Sequence, residues 1–459
     1  MTVRDYLLSL KGKTAAVLGI GVSNTPLIAL LCENGIRTIA CDRKSREALG
    51  ACAAELASMG AELRLGEGYL DDLDADVIFR TPGMRSDVPA LAAAREKGSV
   101  ITSEMEVFFE VCPCTIIGVT GSDGKTTTAS IIAEILRAAG KTVWLGGNIG
   151  HPLLCDAAKM KESDLVVVEL SSFQLLDMKR SPHIAVVTNL APNHLDWHTD
   201  MAEYVAAKKN IFLHQGKNDI LILNADNEAS APFLKEAKGE VRLFSRRTRT
   251  ENGAFLDAGT VFASCGGACT PIVEENHIRL PGQHNIENYM AAFSAVRDFV
   301  GAGVMEQTAR SFAGVEHRIE PVATVNGVPY YNDSKATNTD SAIKALDSFP
   351  GHLVLIAGGD DKMTDLTDFM NLAKEKTDAM ILVGAAAARF KSEALKAGYP
   401  EENIHEAGYS MENAVKIAHE IAGPPQVVLL SPACASFDMY DGFEARGRDF
   451  KALVHGLAK

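Results

Sequence analysis

The sequence predicts an α/β protein of three domains, each a largely parallel sheet flanked by helices, Rossmann-like in the first and third domains and of phosphate-loop type in the second. Three observations carry that expectation. Short apolar runs alternate with helical stretches along all 459 residues, a length that suits about three domains. Glycine-rich polar turns follow several of these runs, at the strand ends where α/β sheets bind ligands. The stretch Ile116-Ile117-Gly118-Val119-Thr120-Gly121-Ser122-Asp123-Gly124-Lys125-Thr126-Thr127-Thr128 reads as strand, turn and helix start, the form of a nucleotide triphosphate loop. The expected domains are 1–103, 104–315 and 316–459.

The first domain opens with a buried-strand run, Thr14 to Gly19, then the turn Gly19-Ile20-Gly21-Val22-Ser23-Asn24 and a helix from Thr25 to about Asn34. A second strand, Ile36 to Cys41, ends in Asp42, which places an acid where Rossmann-type folds contact a ribose or base. Asn24 stands where the third glycine of the dinucleotide fingerprint belongs, so a nicotinamide cofactor is not secured. A nucleotide-shaped ligand and a purely structural turn both remain open. The strand Asp76 to Arg80 then delivers the turn Thr81-Pro82-Gly83.

In the second domain the phosphate loop departs from the strict Walker pattern, whose first glycine would fall at Val119; Gly118 is displaced by one residue. Gly121 and Gly124 still permit positive φ and close backbone approach, Lys125 supplies a point charge, and the Thr126 hydroxyl can ligate Mg²⁺. A helix is expected from Ala129 to Ala139. Trp144 to Gly150 is a strand end containing Asn148, and Leu165-Val166-Val167-Val168-Glu169 is an apolar strand ending in a carboxylate. Burying that carboxylate is costly unless it holds a cation, so Glu169 is a candidate for the Mg²⁺ that accompanies ATP. The strand Ile184 to Leu190 delivers Asn193-His194-Leu195-Asp196-Trp197-His198; without the glutamate of H-E-x-x-H, its two histidines argue against a zinc protease. Asn285 and Asn288, one turn apart at the start of a helix, suit either a nucleotide or ordinary cap and surface positions.

The third domain carries Glu316-His317-Arg318-Ile319-Glu320, Asp333-Ser334-Lys335-Ala336-Thr337-Asn338, and strands at Leu353–Ala357, Met380–Val383 and Val427–Leu430. Two strand ends are polar, Gly358-Gly359-Asp360-Asp361-Lys362 and Ser431-Pro432-Ala433-Cys434-Ala435-Ser436-Phe437-Asp438.

Composition bounds the function. Hydrophobic residues make up 47%, charged residues 23%, and the net charge is −14, which argues against nucleic acid or an anionic membrane as partner. Met1 to Leu10 lacks a basic region followed by an apolar core, and no apolar run approaches the ~18 residues that span a bilayer, so a cytoplasmic protein is expected. Nine scattered cysteines read as reduced thiols; Cys112-Pro-Cys114 and Cys265-Gly-Gly-Ala-Cys269 each lack the second pair that zinc requires.

The phosphate loop, the Glu169 strand, the His194 turn, His284-Asn285 and His317-Arg318 resemble elements of the Mur ligase family, the ATP-dependent amide-forming enzymes of peptidoglycan precursor synthesis, over nearly the whole chain. Ser171-Ser172-Phe173-Gln174-Leu175, Asp333 to Asn338, and Ser431 to Asp438 followed by Phe443 and Arg446-Gly447 are similar to those members that add D-glutamate; an Asp-Asn-Pro-Arg motif of the diaminopimelate-adding members is absent. Thr81 and Asp123 stand where serine and asparagine are common in the family.

The resemblance implies that the L-alanine carboxylate of UDP-N-acetylmuramoyl-L-alanine attacks the γ-phosphate of ATP, and that D-glutamate displaces phosphate from the acyl phosphate through a tetrahedral intermediate. It implies Gly121, Ser122, Asp123, Gly124, Lys125, Thr126 and Thr127 on the phosphates, with Asn285, Asn288, Arg318 and Asp333 around an ATP held between domains. Gly21, Val22, Ser23, Asn24, Asp42, Arg43, Thr81, Pro82 and Gly83 would meet the uridine-diphosphate part, and Asn148, Ser171, Gln174 and His194 the rest of that substrate. Two Mg²⁺ are implied, one on Thr126 and Glu169, the other on His194 and a carbamate of Lys208. The segment Tyr204-Val205-Ala206-Ala207-Lys208 resembles the family's carbamylated-lysine motif, in which CO₂ adds to a neutral amine; Lys209 is a competing register. Thr337 and Lys362 would hold the α-carboxylate of D-glutamate, Ser436, Phe437 and the Phe443 backbone its side chain. Catalysis is thereby expected from Lys125, His194, Lys208 and Glu169, in a monomer.

Alternatives stay open at this point: a ligase of the same family with another amino acid, a P-loop kinase or ATPase switch, and an NAD-dependent oxidoreductase suggested by Gly19-Ile20-Gly21.

Overall fold

The computed structural model describes residues 1–457 apart from 22, 151, 193–196, 281 and 362. Three sheets fall in chain order. The first contains β1 (Thr14–Leu18), β2 (Arg37–Asp42), β3 (Glu62–Leu65), β4 (Val77–Arg80) and β5 (Val100–Thr102), in the order β3-β2-β1-β4-β5. All its pairings are parallel. β1, β2 and β4 are almost entirely buried, as expected where helices cover both faces of a parallel sheet. The order reverses at β1, which brings the turns after β1 and β4 side by side. A Cβ on Gly19 would lie 3.1 Å from the Thr81 Cβ.

The second sheet has β6 (Thr115–Thr120), β7 (Val143–Gly147), β8 (Leu165–Glu169), β9 (Ile184–Val187), β10 (Ile220–Asn224), β11 (Glu240–Ser245), β12 (Gly253–Asp257), β13 (Thr260–Cys265) and β14 (Ala268–Glu274). Their order is β14-β13-β12-β11-β10-β9-β6-β8-β7, so the strand that feeds the phosphate loop runs between β8 and β9. β12, β13 and β14 form an antiparallel edge. Cys265-Gly-Gly-Ala-Cys269 is one of its hairpin turns, with Gly266 and Gly267 at φ 57° and 85°.

The third sheet contains β15 (Glu320–Val325), β16 (Val328–Asn332), β17 (Leu353–Gly358), β18 (Thr377–Val383), β19 (Ile404–Gly408) and β20 (Val427–Leu430), ordered β15-β16-β20-β17-β18-β19. Only β15 is antiparallel to its neighbour, and its hairpin turns on Asn326 and Gly327 at φ 50° and 80°, both in the left-handed region that a two-residue turn requires.

These three sheets belong to two compact units, Met1–Phe312 and Ala313–Lys459. The first two sheets share one continuous apolar core, in which Val17 and Phe79 of the first sheet join Phe108, Leu153, Val166 and Val168. The other face of the second sheet packs under the helices Lys125–Ala138 and Gln283–Val296 through Ile132, Ile135, Met290 and Phe293. In the second unit a separate core lies on each face of the sheet. All nine cysteines are free thiols. Among the described residues no helix is long and apolar enough to cross a membrane.

Candidate active site

β6 turns directly into the phosphate loop because Gly121 and Gly124 adopt φ of 151° and 78°. Neither position tolerates a side chain. A Cβ on Gly121 would lie 1.9 Å from the Thr188 hydroxyl, and one on Gly124 2.3 Å from Asn288 Oδ1. The loop is fixed from the end of β9: Ser122 N donates to Asn189 O and Asp123 N to Asn189 Oδ1 (2.9 Å each), while the Thr188 hydroxyl donates to Asp123 O at 2.5 Å. Lys125 opens the helix, and its Nζ donates to the carbonyls of Gly121 and Ser122 at 2.9 Å each. The first N–H groups of that helix have no intrahelical acceptor, an arrangement that can cradle an anion, with a lysine across it.

Glu169 ends β8 beside the loop and is 2% exposed. Its two oxygens accept from the Thr126 hydroxyl (2.7 Å) and from Asn148 Nδ2 (2.8 Å). Both donors are neutral. A buried carboxylate with an alcohol oxygen beside it is a hard-oxygen donor set, which fits a divalent cation such as Mg²⁺.

Lys208, on the helix Met201–Lys209, is 1% exposed. Its Nζ donates to Gly121 O (2.8 Å) and to the Thr120 hydroxyl (3.3 Å), and lies 4.7 Å from the Tyr204 ring centroid. Burial, and then the charge of Lys125, push its pKa well below the ordinary lysine value. The neutral form of this amine is favoured accordingly. Lys209, the competing register, instead pairs with Glu236 at 2.5 Å, which answers its charge with a carboxylate. Tyr204 shares a hydrogen bond with the Ser122 hydroxyl at 2.8 Å, tying the same helix to the loop.

From the opposite side, Thr128 donates to Asn288 Oδ1 (3.1 Å), and Asn288 Nδ2 donates to Asn285 Oδ1 (3.0 Å). Ser171 and Gln174 form a reciprocal capping box on the short helix Ser172–Leu175 that follows β8. Lys125, Thr126, Asn148, Glu169, Lys208, Asn285 and Asn288 therefore converge on one end of the second sheet; His194 lies outside the described residues.

The first sheet places its candidates at the two adjacent turns. Asp42 is buried, and its carboxylate accepts from Ile20 N (2.6 Å) and Lys44 N (2.8 Å); Asn24 Nδ2 donates to Leu18 O and Gly19 O (3.0 Å each). Both side chains brace the turn itself. Gly21 and Arg43 are exposed and Ser23 half-buried, while Val22 lies outside the described residues. The Thr81-Pro82-Gly83 turn is held from beneath by Arg80, whose guanidinium donates to Met84 O (2.8 Å) and Asp177 (2.9 Å). A cavity of about 500 Å³ beside Arg80 and Asp177 is lined by none of the phosphate-loop residues.

In the second unit, loops from β16, β17, β18 and β20 gather at the C-terminal ends of the strands. Arg446, 2% exposed, ties the loops after β16 and β20 to each other: it donates to Ser334 Oγ (3.0 Å), Ser334 O (2.8 Å), Cys434 O (3.1 Å) and Ala435 O (3.0 Å). Asp333 accepts from the Ser431 hydroxyl (2.8 Å) and Ile319 N (3.2 Å), and burial raises its pKa to about 7. Ser436 is buried, Thr337 and Arg318 are half-buried, Phe437 is exposed, and Phe443 begins the last helix. Lys362 lies outside the described residues.

Sequence reasoning missed Thr188 and Asn189, although a polar pair directly after an apolar strand is a readable signal for a loop partner. It also missed Arg85, which donates to Glu203 at 2.8 Å. No local pattern links residues so far apart in sequence.

A model of the Mur ligase middle domain matches residues 119–296, and one of the Mur ligase glutamate ligase domain matches residues 317–434. The chain belongs to the Mur ligase family. It is 46% identical to UDP-N-acetylmuramoylalanine--D-glutamate ligase of Acetivibrio thermocellus, covering 99% of both chains. It is 49% identical to the protein of that name from Symbiobacterium thermophilum, over 97% of this chain and 98% of the relative. Among solved structures it is similar to UDP-N-acetylmuramate-alanine ligase MurC of Thermotoga maritima (18% identical, TM-score 0.58, 97% and 99% covered). It is likewise similar to MurF of Acinetobacter baumannii (16% identical, TM-score 0.58, 96% and 93% covered). These two likenesses speak to the fold.

Proposed function

We propose that this chain is an ATP-dependent amide ligase that joins D-glutamate to the L-alanine carboxylate of UDP-N-acetylmuramoyl-L-alanine, a cytoplasmic step of peptidoglycan precursor synthesis, and that it acts as a monomer. The observation that carries the reading is the 46% identity to D-glutamate ligase over the full chain. We take residues 1–103, 104–315 and 316–459 as the domains for the UDP-linked substrate, ATP and the amino acid.

A carboxylate and an amine do not condense unaided in water, so the carboxylate must first gain a leaving group. A carboxylate oxygen attacks the γ-phosphorus, the bond to the bridging oxygen breaks, and acyl phosphate and ADP form. The glutamate nitrogen then adds to the acyl carbon and loses a proton, and the tetrahedral intermediate expels phosphate. Positioning and charge neutralisation dominate such phosphoryl transfer. Lys125 and the amides of Gly121 to Thr127 hold the β- and γ-phosphates. Thr126 and Glu169 would hold one Mg²⁺, and His194 with Lys208 as its carbamate would hold a second; bound there, the ions would supply charge that neutralises the transferring phosphoryl group. The buried Lys208 suits the carbamate, because CO₂ adds only to a neutral amine and burial favours that form.

On the same ground of resemblance, Asn285, Asn288, Arg318 and Asp333 serve ATP. Gly21, Val22, Ser23, Asn24, Asp42, Arg43, Thr81, Pro82 and Gly83 serve the uridine-diphosphate end, where Asp42 and Asn24 act by shaping the turn. Asn148, Ser171 and Gln174 face the muramoyl-alanine. Thr337 and Lys362 take the α-carboxylate, and Ser436, Phe437 and Phe443 the side-chain carboxylate, of D-glutamate.

Incubation with ATP, Mg²⁺, the UDP-linked substrate and D-glutamate should give a product heavier by one glutamate less one water in mass spectrometry. Absence of that product would refute the reading. A carbamate signal in ¹³C NMR of enzyme equilibrated with ¹³C-bicarbonate, missing in Lys208→Met, tests the modification apart from turnover.

A further inference from the structure

Arg85 lies two residues beyond the Thr81-Pro82-Gly83 turn of the first sheet, yet its side chain reaches the helix Met201–Lys209, which lies between β9 and β10 of the second sheet in chain order. Its guanidinium donates to both oxygens of Glu203 at 2.8 and 3.0 Å, and to Trp197 O at 3.2 Å. Trp197 answers in the other direction, its indole N–H donating to Gly83 O at 3.1 Å while its ring lies 5.3 Å from the Arg85 guanidinium. Glu203 also accepts from Thr199 N (2.8 Å) and shares a contact with His198 Nδ1 (3.2 Å); His198 Nε2 meets the Ser172 hydroxyl at 2.9 Å. Glu203 and Lys208 belong to one helix, Met201–Lys209. The Arg85 and Glu203 side chains are 26% and 22% exposed, so this fork is sheltered compared with an ordinary surface ion pair.

We propose that Arg85 and Glu203 are positioning residues that couple occupancy of the Thr81–Gly83 turn to the placement of Lys208 beside the phosphate loop. A ligand resting on the turn fixes the backbone that carries Arg85. Arg85 in turn fixes Glu203, and with it the helix whose Tyr204 and Lys208 touch Ser122 and Gly121. The inference rests on the ligase reading, in which that turn receives the UDP-linked substrate. A merely structural clamp would hold the two sheets together without making one ligand sense the other.

The test is calorimetric titration of Mg²⁺ with a non-hydrolysable ATP analogue, with and without saturating UDP-N-acetylmuramoyl-L-alanine. In the unaltered protein the substrate should tighten nucleotide binding by about 5- to 150-fold, the usual range for coupled sites. Arg85→Met and Glu203→Gln should each reduce that factor to about twofold or less, with nucleotide affinity in the absence of substrate unchanged. The double variant should be no worse than either single one, because both remove the same link. Glu203→Gln keeps an amide oxygen for Thr199 and is the variant to trust if Arg85→Met unfolds. Asp87→Asn, which removes only the local partner of Arg85 at 2.8 Å, should retain full coupling. Undiminished coupling in Arg85→Met and Glu203→Gln, no coupling in the unaltered protein, or equal loss in Asp87→Asn would overturn the inference. If the unaltered protein forms no amide with D-glutamate, the ligase reading fails and this inference falls with it; amide formation with intact coupling in the variants sinks the inference alone.

Discussion

Two buried cations, Lys208 of the first unit and Arg446 of the second, show how the same physical burden is put to different use. Arg446 is 2% exposed and its guanidinium meets four oxygens from Ser334, Cys434 and Ala435, so that although burial lowers its pKa to about 10 it stays charged at neutral pH. Lys208 is 1% exposed, has two acceptors, and feels Lys125 as a like-charged neighbour. Its charged form is poorly compensated. The first arrangement consumes a cation to hold loops together; the second disfavours the charged form of an amine whose neutral form is the reactive one.

Replacing Lys208 with methionine should break this contrast most visibly. Amide synthesis should fall by at least ~10²–10³-fold, the loss typical of one preorganised charge-stabilising group. Thermal unfolding at pH 7 should nonetheless move upward, since a desolvated amine is gone and both its acceptors keep other partners, Gly121 O from Lys125 and Thr120 through Leu170 O. The sign follows from linkage. With its folded pKa below the unfolded value, the unfolded chain carries the extra proton, so this lysine makes stability rise with pH between the two values, and Lys208→Met should lose that slope. A lower midpoint would contradict the account.

Lys125→Ala should cost a similar ~10²–10³-fold in turnover, without the gain in stability. Arg446→Lys should do the reverse of Lys208→Met: a single ammonium cannot meet four acceptors, and urea unfolding should report a loss of about 2–4 kcal/mol. Ser436→Ala should raise the D-glutamate KM about 10- to 100-fold, the worth of a hydrogen bond to a charged group, with turnover little changed; an unaltered KM would remove Ser436 from that carboxylate.

The smallest effect concerns Glu104, a buried acid apart from the phosphate loop. It accepts from Leu154 N at 2.8 Å, and burial raises its pKa to about 7. The folded form then holds a proton that the unfolded chain releases, so stability declines as pH rises through that window. Glu104→Gln should match the unaltered protein at pH 4 and exceed it by about 1–3 kcal/mol at pH 8 in denaturant titrations.

The parallel strands were legible in the sequence because strands buried on both faces are continuous apolar runs, as Leu165-Val166-Val167-Val168 is. The hairpins were legible too and passed unread: Asn326-Gly327 and Gly266-Gly267 are two-residue turn signals between alternating strands. The glycine turn after β6 and the places of Thr126 at a helix start and Glu169 at a strand end were readable because strand ends and glycines punctuate them locally. The shared core of the first two sheets was not, since a residue such as Phe79 carries no mark of which distant surface it will meet. Asp42 and Asn24 show the limit of motif reading, for the positions that suggest a ligand also suit a side chain that braces its own turn. Arg85 and Glu203, 118 positions apart, leave no periodic trace at all.

The most direct test of the central claim is Mg²⁺-dependent phosphate release from ATP in the presence of UDP-N-acetylmuramoyl-L-alanine, comparing D-glutamate, L-glutamate, L-lysine, meso-diaminopimelate and no amino acid. The account predicts stimulation by D-glutamate alone, with amide product in step with phosphate. Stimulation by another amino acid would contradict the assigned specificity, and release without any amino acid or amide product would contradict the ligase itself.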